Sequence, residues 1–164
     1  MPIYLKDLDV TPEVAGLGSA LIVPCYMCPA VTAAVKARQP FLQLFRSFLK
    51  SPPFEQSIRE LQNRLQAAGV QASVFTSTLV SHWFLCMWPA ARRRKLRRAM
   101  KNHDAAIVLG CDSATATVRE LVPAGECKVI QGLDVAGYMN AKLRLTWPGN
   151  VSFDDCKIIP LTRA

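Results

Sequence analysis

Apolar and polar positions along the chain follow two patterns. Ser19-Ala20-Leu21-Ile22-Val23 and Asp104-Ala105-Ala106-Ile107-Val108-Leu109 are continuous apolar runs, as expected of strands buried on both faces. Val70-Gln71-Ala72-Ser73-Val74-Phe75 and Cys127-Lys128-Val129-Ile130 are shorter candidates. Helical stretches separate them: residues 29–50 with a break at Pro40, residues 54–68, residues 79–101 interrupted near Pro89, and residues 113–122. In the second, Ile58, Leu61 and Leu65 share one face, Ser51 and two prolines mark the start, and Gly69 the stop. Strands alternating with helices imply parallel pairing through right-handed crossovers. The predicted fold is one α/β domain over 1–164, a Rossmann-like three-layer sandwich with a mainly parallel sheet. Toward the end the pattern turns to alternation. Lys142-Leu143-Arg144-Leu145-Thr146-Trp147, a Pro148-Gly149-Asn150 turn and Val151-Ser152-Phe153 predict a C-terminal β-hairpin within 141–164, at one edge of that sheet. Residues 1–17 have no clear period and read as an irregular lead-in.

Length and composition agree with this. A chain of 164 residues, half apolar and a fifth charged, can bury a core of its own. The first residues lack a basic stretch followed by an apolar run, so no secretory signal is expected. No apolar segment reaches the roughly 18–20 residues that span a bilayer; residues 79–91 contain His82 and Pro89. The expected location is the cytoplasm. There, six cysteines are core fillers, metal ligands or redox thiols rather than a disulfide framework.

Their positions are informative. Cys25-Tyr26-Met27-Cys28-Pro29 lies where the first core strand meets a helix. A two-residue spacer lets both sulfurs turn to one metal or to each other, and a helix N-terminus favours thiolate. The plain alternative is two small side chains packed under a loop. Ala106-Ile107-Val108-Leu109-Gly110-Cys111 echoes Ala20-Leu21-Ile22-Val23-Pro24-Cys25: a buried strand, one breaker, a cysteine, then a helix. Parallel, neighbouring strands would put Cys25, Cys28 and Cys111 on one rim. Cys86, within Trp83-Phe84-Leu85-Cys86-Met87-Trp88, is the candidate fourth ligand, with His82 as the alternative. Cys127 and Cys156 read as structural, and His103 belongs to the opposite rim. Asp112 and Asp134 follow strands closely enough to serve as base, ligand or cap. No P-loop, G-x-G-x-x-G or G-x-S-x-G occurs.

This pattern resembles a family of small cysteine-rich zinc- and iron–sulfur-binding proteins that accompany methylenetetrahydrofolate reductase in anaerobic bacteria. The likeness rests on Val23-Pro24-Cys25-Tyr26-Met27-Cys28, on Ile107-Val108-Leu109-Gly110-Cys111 and on Val129-Ile130-Gln131-Gly132-Leu133-Asp134. It implies a zinc or iron–sulfur cofactor and a protein partner in a redox or one-carbon complex. The chain departs from the family at Ala30 to Thr32, where the family has a further cysteine, and lacks its C-terminal cysteine cluster. A three-cysteine zinc site is easier to reconcile with what remains.

Charge adds one more feature. The net charge is +8, and Arg92-Arg93-Arg94-Lys95-Leu96-Arg97-Arg98 alone carries six positive charges. Such a run is a solvated helix face or the contact for an anionic partner. The very apolar residues 41–49 are core, a partner-binding face or a homodimer interface. Three functions follow: a metal-binding accessory protein using Cys25, Cys28 and Cys111 with Cys86 or His82; a thiol–disulfide oxidoreductase using Cys25 and Cys28; and a basic nucleic-acid or phosphate-binding module.

Overall fold

A computed structural model describes residues 3–44, 50–76 and 83–161. Four parallel strands form the centre: β2 (Ser19–Pro24), β4 (Gln71–Val74), β5 (Ala105–Leu109) and β6 (Lys128–Gln131). Their order across the sheet is β4-β2-β5-β6. The chain therefore leaves β2 toward one edge and returns past it to build the other. Successive residues of the central strands face opposite ways. Ala20, Ile22, Ala105 and Ile107 pack under α2 (Cys28–Ala37) and α3 (Pro52–Ala67). Leu21, Val23, Ala106 and Val108 pack under α4 (Ala90–Met100) and α5 (Asp112–Arg119). Burial on both faces explains why these strands are continuous apolar runs.

The hairpin exists, but not at the edge of this sheet. β7 (Leu133–Thr146) and β8 (Asn150–Pro160) pair antiparallel in a second sheet, ordered β1-β7-β8-β3, with β1 (Ile3–Asp7) and β3 (Leu42–Gln43). Residues 1–17 are accordingly not an irregular lead-in: β1 and a short α1 (Thr11–Val14) lie within them. The partner of β1 is some 130 residues away, beyond the reach of local periodicity. Part of the predicted helix 29–50 is the strand β3, since Arg38 takes a left-handed conformation that ends α2; residues 45–49 lie outside the described residues. Of the predicted helix 79–101, residues 79–82 lie outside the described residues, Leu85–Met87 form one 3₁₀ turn, and the α-helix begins after Pro89.

The two sheets meet at Gly132. Its N–H donates to the Val108 carbonyl of the parallel sheet (2.9 Å), and its carbonyl accepts the Leu8 N–H beyond β1 (3.0 Å). A Cβ there would lie 2.9 Å from Leu109 Cδ2 and 3.2 Å from the Val108 carbonyl oxygen, so any side chain at this crossing would have to displace that of Leu109. No helix among the described residues is long and apolar enough to cross a membrane.

At the amino end of the sheet Asp104 ties β2 to β5. Its Oδ2 accepts the Ser19 hydroxyl (3.0 Å) and the N–H groups of Ser19 (2.8 Å) and Gly18 (3.0 Å), while its own N–H donates to Ser19 Oγ (3.1 Å). The Ser19 bonds hold this carboxyl below the ordinary carboxylate pKa. A depressed carboxylate stabilises the fold above its unfolded value, near 4, and that contribution disappears as pH falls through the lowered value. We expect Asp104→Asn to flatten the loss of thermal stability between neutral pH and pH of about 3. Equal slopes for parent and variant would remove Asp104 from the acid response.

Candidate functional site

The carboxyl ends of β2 and β5 lie side by side. Pro24 is in register with Leu109, and the Cys25 N–H donates to the Leu109 carbonyl (3.0 Å). A Cβ built on Gly110 would sit 3.6 Å from Cys25 Cβ, so Cys25 and the Gly110-Cys111 turn share one crevice. This is where the strand order reverses, the position at which open α/β sheets bind their ligands.

Three loops converge there. The Cys25–Cys28 turn is anchored by Tyr26, whose hydroxyl donates to Glu55 Oε1 of α3 (2.6 Å) and whose ring meets Phe54 edge-on at 5.2 Å. Burial, and then the Glu55 bond, push the Tyr26 hydroxyl far above its ordinary pKa, keeping it a donor. The Gly110-Cys111 turn leads into α5. The 3₁₀ turn carrying Cys86 packs against α5 and is held by buried Leu85 and Trp88; the Trp88 indole N–H donates to the Trp83 carbonyl (3.1 Å). From the other side β1 lies across the first turns of α2: Thr32 Oγ1 accepts the Leu5 N–H (3.2 Å) and donates to the Ile3 carbonyl (3.3 Å).

Electrostatics links the thiols. Burial dominates at Cys25, raising its pKa from 9.0 to about 11 against the N–H groups of Leu85 and Met27, and repulsion from thiolates at Cys28 and Cys111 adds to the rise. Cys28 is raised as well, first by burial, against the Ile3 N–H, with further repulsion from Cys111 and Cys86. Thus Cys25, Cys28 and Cys111 lie within one another's electrostatic reach, and Cys86 lies within that of Cys28. The expectation that the helix N-terminus makes this pair a thiolate centre is overturned for the metal-free protein. Cys25 is only 5% exposed, and desolvation outweighs the N–H groups and the helix dipole.

All six cysteines are free thiols. Among the described residues, no three Cys, His, Asp or Glu side chains already surround one point as metal ligands. Cys127 lies at the opposite rim, where Asp104 adds to the effect of burial in raising its pKa, and Cys156 is in β8. His103 is also at that opposite end, where its ring bonds Ser73 Oγ (2.7 Å) and the Ala99 carbonyl (2.9 Å). His82 lies outside the described residues. Asp112 begins α5 and accepts from the Gln131 amide (2.6 Å), whereas Asp134 pairs with Lys6 (3.2 Å). Both carboxylates therefore have structural partners.

No family model, curated protein or solved structure matches this chain. Its site is therefore read from its own residues. Sequence reasoning named the four cysteines but not the backbone groups of Leu85, Met27 and Ile3 that act on Cys25 and Cys28. Two of these groups come from segments distant in sequence, and nothing in their residue types marks them. A small apolar cavity of about 70 Å³ lies beside the rim under Leu5, Phe54, Leu109 and Leu133, with Lys36 and Arg64 among its lining.

Proposed function

We propose that the chain is a metal-binding accessory protein whose rim thiols Cys25, Cys28 and Cys111, with Cys86, hold a thiophilic centre, zinc or an iron–sulfur cluster. The observation that carries this reading is the meeting of the Cys25 turn and the Gly110-Cys111 turn in one crevice at the paired ends of β2 and β5. Hydrogen bonding from the backbone at Leu85 and Met27 partly offsets the rise at Cys25, and that at Ile3 partly offsets the rise at Cys28. Such donors stabilise sulfur as thiolate and tune thiolate-bound metals. Here they act on sulfurs that burial keeps protonated, and a bound cation would take the place of those protons. The donor set suits a soft ion, although the side chains must close on it, because no three form a finished ligand set. When bound, zinc or iron would supply a fixed charge that makes the thiols thiolates.

The Rossmann-like reading of the parallel sheet belongs to this proposal: its strand order leaves the crevice between β2 and β5 as the site. So does a role beside a redox or one-carbon enzyme, which the family resemblance motivates. The oxidoreductase reading has less support. An attacking cysteine needs exposure and a lowered pKa, and Cys25 has neither.

Protein purified without oxygen is expected to carry about one metal centre per chain. Cys25→Ser, Cys28→Ser and Cys111→Ser should each lose most of it and unfold at lower temperature than the loaded parent. A parent that is metal-free, takes up neither zinc nor iron with sulfide, and matches its variants in stability would refute the proposal.

A further inference from the structure

We propose that the outer row of α4, Arg94, Arg97, Arg98 and Lys101, together with exposed Phe84 and Met87, is a docking face for an acidic surface on a partner protein. Leu96 and Met100 fix the inward side of α4 because both are buried in the core. At 3.6 residues per turn, positions 94, 97, 98 and 101 fall on the opposite side as one ridge. All four are exposed, and none makes an ion pair among the described residues.

The fold itself does not account for this ridge. Like charges three and four residues apart repel. Cations in the last turn do favour the helix dipole, but the first turn is also basic and contains no acidic residue. Arg92 and Arg93 have internal work: Arg92 lies over the Trp88 ring at 5.1 Å, and Arg93 donates to the carbonyls of Trp88 (3.0 Å) and Cys86 (3.4 Å) and faces Glu120 at 3.8 Å. These bonds fasten the start of α4 to the turn that carries Cys86. Only the Arg94 end of the ridge lies toward that turn; the Lys101 end lies toward the opposite rim, where His103 bonds the Ala99 carbonyl.

Exposed side chains on the turn that leads into α4 select the kind of partner. Phe84 is 43% and Met87 74% exposed; Arg, Met and aromatic side chains together are the composition of protein interfaces. A membrane-surface helix would need an apolar face free for lipid, and that of α4 is buried in the core. Tracking a phosphate backbone uses cations and single-strand binding adds aromatic stacking; neither gives Met87 a role.

The proposal stands whatever the thiols hold, and its test does not involve them. The probe is a labelled synthetic helical peptide with glutamates at i, i+3, i+4 and i+7 between leucines, read by fluorescence anisotropy against the full, reduced chain. Saturable binding at low salt is expected, weakening at least about tenfold between about 0.05 and 0.3 M salt. The triple variant R94E/R97E/R98E should lose at least about tenfold in affinity, Met87→Ser should lose a smaller factor, and a glutamine version of the peptide should not bind. Thermal unfolding checks that the exposed substitutions leave the fold intact; R94Q/R97Q/R98Q gives the same reading if the reversal does not fold. Absence of binding at low salt, binding indifferent to these substitutions, or tighter binding to single-stranded DNA, RNA or phosphatidylserine vesicles would overturn the proposal.

Discussion

Replacing Gly110 with valine should destabilise the protein by roughly 3 kcal/mol and lower its Tm by roughly 6–12 °C. A Cβ at this position would lie 2.5 Å from Ala114 Cβ and 3.4 Å from Val108 Cγ1. Both neighbours are fully buried, so neither can swing into solvent. Ala114 sits in the first turn of α5, where the Cys111 carbonyl accepts the Thr115 N–H (3.0 Å). Relief of the clash must therefore push the helix off the end of β5 and carry Cys111 with it. Gly110→Ala should already cost part of this, because the Cβ itself collides. Adding Ala114→Gly should recover a share of that loss, and the non-additivity in a double-mutant cycle identifies the contact. Calorimetry reads the stability, and alkylation of Cys25 in the native protein should quicken as the crevice opens. A G110V protein with an unchanged Tm and an unreactive Cys25 would mean that β5 and α5 do not pack in this way.

The same glycine shows how far the sequence could be read. Gly110 was legible as a breaker between strand and helix, but its role as the space for Ala114 depends on tertiary packing. Continuous apolar runs identified β2 and β5 because both faces of each strand are covered, and the repeated strand–breaker–cysteine order put Cys25 and Cys111 on adjacent strand ends. The second sheet was harder to read. Its 14-residue strand β7 contains Gly137 and Asn140, residue types that are depleted in strands. In the fold, a Cβ on Gly137 would meet the Ile159 carbonyl oxygen closer than any real Cβ contact, and the register shifts between Asn140 and Lys142. Those residues serve a close strand approach and a bulge rather than a chain break. The thiolate expectation failed for a different reason. Sequence shows a helix N-terminus beside Cys28, but not how deeply Tyr26, Leu85 and β1 bury the sulfurs.

Zinc uptake by the metal-free protein should release protons and tighten steeply as pH rises. Burial holds Cys25 at about 11 and raises Cys28, so both carry protons near neutrality and a bound ion must displace them. Each displaced proton strengthens apparent affinity by about tenfold per pH unit. Two such thiols give roughly a thousandfold between about pH 6.5 and 8. Chelator competition measures the affinity, and a weakly buffered indicator counts the protons. Stability without metal carries the complementary sign. The Cys25 pKa lies above the unfolded value of 9.0, so its contribution is fully present below that value and is lost as pH rises toward 11. The two-unit rise corresponds to about 2–3 kcal/mol at this buried site. Metal loading should abolish that alkaline loss, and Cys25→Ser should abolish it without metal. Affinity independent of pH, with no proton released, would mean that the ion is held elsewhere than on these thiols.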